Sequence, residues 1–139
     1  MNSTIKNFTI EDYPSAFKLW QTDDKVGLSS ADARENIEFF LKRNPGLSKV
    51  AIANSNVIAT LLCGHDGRRG YLYHLFVDKS QRRQHLGSKL VEACLNSLKE
   101  EGIQKCHLFA FDRNDVGKKF WANTSWQKRG DIVMFSKDV

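Results

Sequence analysis

The sequence contains few of the residues that build disulfide frameworks or metal sites. Its 139 residues include three cysteines, Cys63, Cys94 and Cys106. Their number is odd, and their spacing matches no common metal-ligand pattern. Each cysteine lies in an apolar run, which favours free thiols packed in a core. We therefore expect no disulfide framework and no metal site.

Long apolar runs, internal repeats and low-complexity segments are also missing from the sequence. No apolar run approaches the length that spans a membrane. The first residues, MNSTIK, lack the apolar segment of a secretory signal. We expect a cytoplasmic protein without a membrane partner. The length predicts a single domain over residues 1–139, large enough to bury its own core.

The charge balance is moderately basic. Lysine and arginine together number 21 against 16 acidic residues, which gives a net charge of +5. This excess suits an anionic ligand, although charge alone does not distinguish a small anion from a nucleic acid. The aromatic residues fall at core spacing and do not form an exposed stacking platform. We therefore expect no nucleic-acid partner, and a homodimer is left open.

Apolar spacing and turn residues predict two helices in the first part of the chain, after a strand at residues 4–8. Thr9, with Asp12 three residues later, resembles a capping box at a helix start. A second helix is expected to begin near Ser29 or Ser30 and to end at residues 44–46, Asn-Pro-Gly.

The rest of the chain alternates strands with helices. Strands are predicted at residues 49–53, 57–63, 71–77, 105–111 and 131–136, with a turn at 54–56. An apolar stripe predicts a long helix at residues 86–101 that ends at Gly102, and Asn114 is placed to cap a short helix through Asn123. The order β-α-α-β-β-β-α-β-α-β predicts an α/β fold: a mixed sheet with helices on both faces.

One basic turn stands out between a predicted strand and the long helix. Residues 81–88 read QRRQHLGS. The first turn of a helix leaves backbone N–H groups without intrahelical partners, at the positive end of the helix dipole. A pyrophosphate fits such a site, and arginine side chains beside it add charge-assisted hydrogen bonds. The turn therefore predicts binding of a phosphorylated cofactor.

Three segments together resemble the GNAT acetyltransferase superfamily, and the resemblance covers nearly the whole chain. The family signature, Arg/Gln-x-x-Gly-x-Gly/Ala, matches Arg82-Arg83-Gln84-His85-Leu86-Gly87. Residues 73–78, YHLFVD, are similar to the family's cofactor strand. Residues 114–126 resemble its Asn-x-x-Ala…Tyr…Gly-Phe segment. The closest similarity is to small bacterial single-domain members.

The resemblance implies acetyl transfer from acetyl-CoA to an amine. It implies that the backbone near Leu75, Phe76 and Val77 pairs with the pantetheine arm, and that strands 71–77 and 105–111 splay to form the cofactor slot. It assigns the pyrophosphate to the turn formed by Arg82, Arg83, Gln84, His85, Leu86, Gly87 and Ser88. It also implies that Asn114 contacts the cofactor arm. For Trp121, which follows Phe120, two interpretations are open: it packs in the core, or it lines the cofactor slot.

The sequence departs from the family pattern at three positions. His85 replaces the first signature glycine, and its N–H can still donate if φ stays helical. Trp121 replaces a frequent tyrosine that protonates the leaving thiolate, a task that indole cannot perform at neutral pH. Ser125 replaces a frequent glycine.

Two residues of the cofactor strand are candidates for catalysis. His74 is a candidate general base, because histidine ordinarily titrates near neutral pH. Regular strand alternation would place His74 opposite Tyr73 and on the face of Leu72 and Phe76. Tyr73 is expected to line the acceptor site. A structural histidine and a packed tyrosine are the competing interpretations.

Two alternative functions are compatible with the sequence. A protein with the same fold could bind CoA as a sensor or partner-binding protein with weak catalysis, and a basic nucleic-acid-binding module is the second alternative. The acceptor is also open: a small metabolite, a peptide N-terminus and a lysine side chain all supply an amine.

Overall fold

The structure is a computed structural model that describes residues 2–82 and 85–139. The chain divides into two compact units, Met1–Phe109 and Ala110–Val139, and each is described by itself. Arg83 and Gln84, both predicted to hold the pyrophosphate, lie outside the described residues.

The first unit is built on a five-stranded mixed sheet. Its strands follow the chain in spatial order: β1 (Thr4–Asn7), β2 (Lys49–Ala53), β3 (Asn56–His65), β4 (Gly70–Val77) and β5 (Cys106–Leu108). The first four strands pair antiparallel, whereas β4 and β5 pair in parallel. The predicted meander and β-α-β crossover are therefore confirmed.

Four α-helices and four short 3₁₀ turns complete the described chain. The helices are α1 (Tyr13–Trp20), α2 (Arg34–Arg43), α3 (Leu86–Glu100) and, in the second unit, α4 (Asp115–Asn123). The 3₁₀ turns are Ile10–Asp12, Asp24–Val26, Ser30–Asp32 and Lys79–Gln81. The predicted capping box is present, because the Thr9 backbone N–H donates to the Asp12 carboxylate at 2.9 Å.

Helices cover both faces of the sheet. On one face the indole of Trp20 in α1 donates to the Thr60 hydroxyl in β3 at 2.9 Å. On the other face the Cys63 thiol, also in β3, contacts the Cys94 thiol in α3. Residues an odd number of positions apart on a strand face opposite sides, so α1 and α3 lie on opposite faces.

Apolar burial accounts for the long central helix. Five residues of its predicted stripe are buried and the sixth, Leu95, is half-buried; the buried ones are Leu86, Leu90, Val91, Cys94 and Leu98. The helix ends at Gly102, whose φ of +85° is the left-handed conformation that glycine adopts without strain. The Ile103 N–H then donates to the Leu98 carbonyl at 3.0 Å, and the predicted glycine cap at Gly102 is confirmed.

The hairpin between β2 and β3 turns through two residues with positive φ, Asn54 (51°) and Ser55 (64°). Two consecutive left-handed residues form the turn whose twist matches that of paired antiparallel strands. The predicted polar turn is confirmed.

The predicted strand at residues 131–136 is wrong. Residues 110–139, all of which are described, contain no strand, and the apolar side chains of Ile132 and Phe135 are exposed. The composition of this segment favours a strand, but a strand also requires a hydrogen-bonded neighbour, which the sequence does not specify. The strand predicted at 105–111 is shorter than expected, because β5 pairs with β4 over only three residues.

Candidate active site

Strand β4 carries a bulge at the centre of the predicted site. Tyr73 pairs with Leu62, but Phe76 pairs with Thr60. Two residues of β4 therefore oppose one residue of β3, which is the signature of a β-bulge. His74, the first bulged residue, has a φ of +56°.

The bulge overturns the predicted alternation of the strand. Leu62 and Thr60 are two residues apart on β3, so Tyr73 and Phe76 share one face, that of α1 and α2. Leu72 pairs with Cys63 and lies on the opposite face. The prediction that Leu72 and Phe76 share a face was wrong, because one extra residue shifts the alternation by one position.

A buried hydroxyl holds the bulge in place. The Thr60 hydroxyl donates to the carbonyl oxygen of His74 at 2.8 Å and accepts from the Trp20 indole N–H at 2.9 Å. The Thr60 side chain is fully buried. The His74 carbonyl and the Trp20 indole N–H, both polar groups in the core, therefore each have a hydrogen-bond partner.

The His74 imidazole contacts a carboxylate from the segment between α1 and α2. His74 Nε2 lies 2.7 Å from Asp32 Oδ1, and the centre of the imidazole ring is 5.0 Å from that of the Trp20 ring, edge-on. Burial tends to raise the pKa of Asp32, but the hydrogen bond and charge of His74 outweigh it, and the pKa lies below its ordinary value. Asp32 is therefore ionised at neutral pH.

Asp32 was not among the predicted site residues. It stands three positions after Ser29, and the two form a capping box in which the Ser29 N–H donates to Asp32 Oδ2 at 2.9 Å. That local pattern is visible in the sequence and marks a turn. The contact with His74 spans 42 positions and has no sequence signal.

Beyond the bulge, one edge of β4 is open. Strand β5 pairs with β4 only at Gly70, Tyr71 and Leu72. No other described strand pairs with the remaining part of β4 on that side. Backbone groups in the segment from Leu75 to Val77 are therefore without a described strand partner at this edge. The splaying of the two strands into a cofactor slot stays a prediction.

The open edge leads into the start of α3. The N–H groups of Leu86, Gly87 and Ser88 occupy the first turn of the helix, and none donates to an acceptor among the described residues. His85 precedes them with a φ of +61° and an exposed side chain. His85 is thus not helical: it adopts the conformation that the signature glycine would favour.

Arg82 links this turn to the end of β4. Its Nε donates to the Val77 carbonyl at 3.1 Å, and its guanidinium carbon lies 5.5 Å from the centre of the Phe76 ring. The Nη atoms have no hydrogen-bond partner among the described residues. The guanidinium is therefore fixed at the end of β4, and its Nη atoms are left to donate to an anion.

Tyr73 lies next to the bulge, on the side of α2. Its side chain is 39% exposed, and its ring meets the Phe40 ring edge-on at 6.1 Å between centres. Partial burial, followed by the charges of Tyr71 and Cys106, raises the pKa of its phenol. The hydroxyl therefore stays protonated at neutral pH.

In the second unit, Asn114 caps α4 as predicted. Its side-chain oxygen accepts from the Gly117 N–H at 3.0 Å. Trp121 packs edge-on against Phe120 and Trp126, with ring centres 4.9 and 5.0 Å away. The roles of Asn114 and Trp121 toward a cofactor stay predictions from the resemblance.

Ser125 shares one property with His85. Its φ is +73°, so both positions at which glycine is frequent in the family have a left-handed backbone here. Each residue therefore places a Cβ atom at a left-handed backbone position, with the strain that glycine would avoid.

The second histidine–carboxylate contact lies away from the bulge. His65 Nε2, at the end of β3, is 2.7 Å from Glu101 Oε1. Asp66 closes the following turn by accepting from the N–H groups of Arg68 and Arg69, at 2.8 Å each. These contacts fit a solvated turn. In the described chain, no group of three histidine, cysteine or acidic side chains could hold a metal ion.

Comparison with known proteins identifies the family. The model of the acetyltransferase (GNAT) family matches residues 13–124. The chain belongs to the GNAT acetyltransferase family. An acetyltransferase of Pectobacterium atrosepticum is 29% identical to this GNAT protein over 112 residues, which cover 81% of this chain and 79% of the relative. The predicted resemblance is confirmed.

Solved structures show the same fold. A PaiA N-acetyltransferase from Thermoplasma acidophilum, in complex with coenzyme A, matches with a TM-score of 0.75 and 19% identity over 89% of each chain. An aminoglycoside acetyltransferase from an uncultured soil metagenomic sample, in complex with sisomicin, matches with a TM-score of 0.77 and 20% identity, covering 99% of this GNAT chain and 96% of its own.

The predicted α/β fold class is confirmed, apart from the final strand. No helix among the described residues combines the length and the apolar character needed to cross a membrane.

Proposed function

We propose that this GNAT protein is an acetyl-CoA-dependent N-acetyltransferase that acts on a primary amine by direct attack in a ternary complex. One observation carries the proposal: from the unpaired edge of bulged β4 the chain continues through Arg82, which contacts Val77, to a helix start whose N–H groups have no described acceptor. Family membership and the CoA-bound neighbour support the cofactor assignment.

The proposed cofactor site has two parts. The pyrophosphate binds the N–H groups of Leu86, Gly87 and Ser88 and the Arg82 guanidinium, where a helix dipole and a cation both favour negative charge. The pantetheine arm lies along the edge of β4 near Leu75, Phe76 and Val77. The Val77 carbonyl already accepts from Arg82, so the pantetheine arm binds the other backbone groups of this edge.

The acceptor must lose a proton before it attacks. A primary amine has a pKa of about 10.4 and is mostly protonated at neutral pH. We assign His74 as the general base, because its ring lies at the bulge beside the proposed thioester position. Backbone N–H groups near Phe76 and Val77 then polarise the thioester carbonyl. Tyr73 lines the acceptor side.

The leaving thiolate needs a proton, and Trp121 cannot supply it. Indole is not an acid at neutral pH, so water or another group returns the proton released from the amine nitrogen. The aminoglycoside complex of one neighbour supports a small-molecule amine as the acceptor. A peptide amine is the other acceptor class of the proposal. No nucleic-acid partner is proposed.

The family match spans residues 13–124 and thus parts of both units, which supports treating residues 1–139 as one acetyltransferase domain. Three free cysteines support a reducing, cytoplasmic location.

The test combines binding with turnover. Thermal-shift and calorimetric titrations with CoA and acetyl-CoA should show saturable binding, and a panel of amines should release free thiol with at least one acceptor. Absence of binding contradicts the cofactor assignment. Saturable binding without turnover on any amine contradicts the enzyme and favours the alternative of a CoA-binding sensor, for which Trp121 in place of the family's tyrosine is the supporting observation.

A further inference from the structure

The contact between His74 and Asp32 fixes where the imidazole carries its proton. Asp32 is ionised, and a carboxylate oxygen can only accept a hydrogen bond. The short contact of 2.7 Å to Asp32 Oδ1 therefore requires that His74 Nε2 donates. In the neutral ring the lone pair is then on Nδ1, so Nδ1 is the basic atom of His74.

Asp32 is held through both its side chain and its backbone. Carboxylate Oδ2 accepts from the Ser29 N–H at 2.9 Å, and the Asp32 backbone carbonyl accepts from the Tyr13 hydroxyl at 2.6 Å. Asp32 is 6% exposed. The carboxylate cannot turn outward to bind an amine without losing its contacts with Ser29 and His74, so its position serves His74 and not a ligand.

The imidazole is held equally well from its own side. Thr60 fixes the His74 carbonyl, and Trp20 lies against the ring edge. Nδ1 forms no hydrogen bond with any described residue, and the side chain retains 13% exposure. The arrangement therefore buries one ring nitrogen against a fixed anion and leaves the other nitrogen for an external partner.

We infer that Asp32 is a positioning residue that orients His74 so that Nδ1 accepts a proton from the acceptor ammonium group. This inference rests on the proposed function. In the step, Nδ1 takes one proton from the ammonium, and the neutral nitrogen attacks the thioester carbonyl carbon. The C–N bond forms and the C–S bond breaks. The amine nitrogen then loses its second proton, and the departing thiolate gains one to become a thiol. Asp32 stabilises the imidazolium that formed in the first proton transfer.

Other titratable groups near the pair act more weakly. Tyr13, from α1, has a pKa raised by burial and by the charges of Asp32 and Glu35, while Arg34 acts in the opposite direction. Arg34 and Glu35 are the first residues of α2, and Thr60 of β3 is uncharged and donates to the His74 backbone carbonyl. Asp32 is the one charged group, among the described residues, in hydrogen-bond contact with the His74 ring.

The test substitutes Asp32→Asn and measures kcat/KM against pH with the best acceptor from the amine panel. The Asp32 carboxylate favours the imidazolium form of His74. Removal of this carboxylate should therefore move the acid limb of the kcat/KM profile to lower pH and reduce kcat by about 10-fold or more. Glu101→Gln is the matched control. It removes the charge from the other histidine–carboxylate contact, also at 2.7 Å, and should leave the limb in place.

Nuclear magnetic resonance of the intact wild-type chain provides a second readout that needs neither folding of a variant nor activity. The ¹⁵N shifts of the neutral His74 ring should report Nε2–H and an unprotonated Nδ1. A neutral ring protonated on Nδ1 would overturn the inference, as would an acid limb that is unchanged in a folded Asp32→Asn protein. Failure of the wild type to acetylate any amine is a different result, because it overturns the proposed function itself.

Discussion

The Thr60 hydroxyl donates to the carbonyl oxygen of His74 across 2.8 Å, and this contact ties the centre of one strand to the bulge of the next. A left-handed φ at His74 is unfavourable for a residue with a Cβ atom. The hydroxyl, together with the Trp20 indole that donates to it, makes the bulge part of the core.

Substitution of Thr60 by valine should therefore destabilise the protein. Valine keeps the shape but leaves the Trp20 N–H and the His74 carbonyl without their partner, at a cost of about 1–3 kcal/mol for a buried unsatisfied group. Urea denaturation would measure the loss. Thr60→Ser retains the hydroxyl and is the matched control. Equal stability of the valine and serine variants would refute the role given to this hydroxyl.

Local patterns in the sequence predicted much of the fold because each depends on neighbouring residues. The stripe of α3 follows from helical spacing, the Asn114 cap from one side chain near a helix start, and the turn at Asn54 from its polar residues. The glycine positions of the family signature also located the start of α3.

The β4 bulge and the contact between His74 and Asp32, here called the dyad, were not predictable in this way. The composition of residues 71–77 fits a regular strand equally well, and only the register against Leu62 and Thr60 reveals the extra residue. The partnership of Asp32 with His74 depends on how α1 and α2 pack over the sheet. The prediction of a last strand at residues 131–136 was wrong for the same reason, because β propensity alone does not provide a neighbouring strand.

Replacement of His85 by glycine should stabilise the protein. His85 has a φ of +61°, and a left-handed backbone costs a residue with a Cβ atom about 1–2 kcal/mol. Thermal denaturation should show a higher midpoint for His85→Gly, with CoA affinity unchanged or improved. Ser125→Gly, at φ +73°, should behave similarly in stability. A lower midpoint for both glycine variants would contradict the assigned strain.

Loss of the Arg82 guanidinium should weaken CoA binding. Each charged hydrogen bond to phosphate that Arg82 makes contributes about 1.5–3 kcal/mol. Calorimetry with CoA should detect this loss in Arg82→Ala. Arg69→Ala removes an arginine from the turn after β3 and serves as the control, which should bind like the wild type. Equal affinities in the two variants would remove Arg82 from the site.

Acid should weaken the contribution of Asp32 to stability. Its pKa is depressed in the folded state, with His74 as the main lowering cause against the raising effect of burial. A depressed pKa means that the stabilisation is fully present above the ordinary value near 3.9 and is lost as pH falls through the lower folded value. The stability difference between wild type and Asp32→Asn should therefore shrink as pH falls from 6 to 3. A constant difference over that range would contradict the ionised dyad.

The three thiols should be slow to react in the native protein. The contact with Cys94, together with burial, raises the pKa of Cys63, and burial raises the pKa of Cys106 to about 12. Thiolate is the reactive form, so a disulfide reagent at pH 8 should label the cysteines only after denaturation. Rapid labelling of one or more thiols in the folded protein would contradict the claim that these cysteines are buried and protonated.

The most direct test of the account is a titration of ¹⁵N-labelled protein with acetyl-CoA, followed through its backbone amide signals. We predict saturable shifts that are largest at Leu86, Gly87 and Ser88 and at the β4 edge near Val77, because these amides are proposed to hold the diphosphate and the pantetheine arm. Saturable shifts confined to other parts of the chain, or no shifts at any concentration, would contradict the cofactor site on which the proposed acetyltransferase depends.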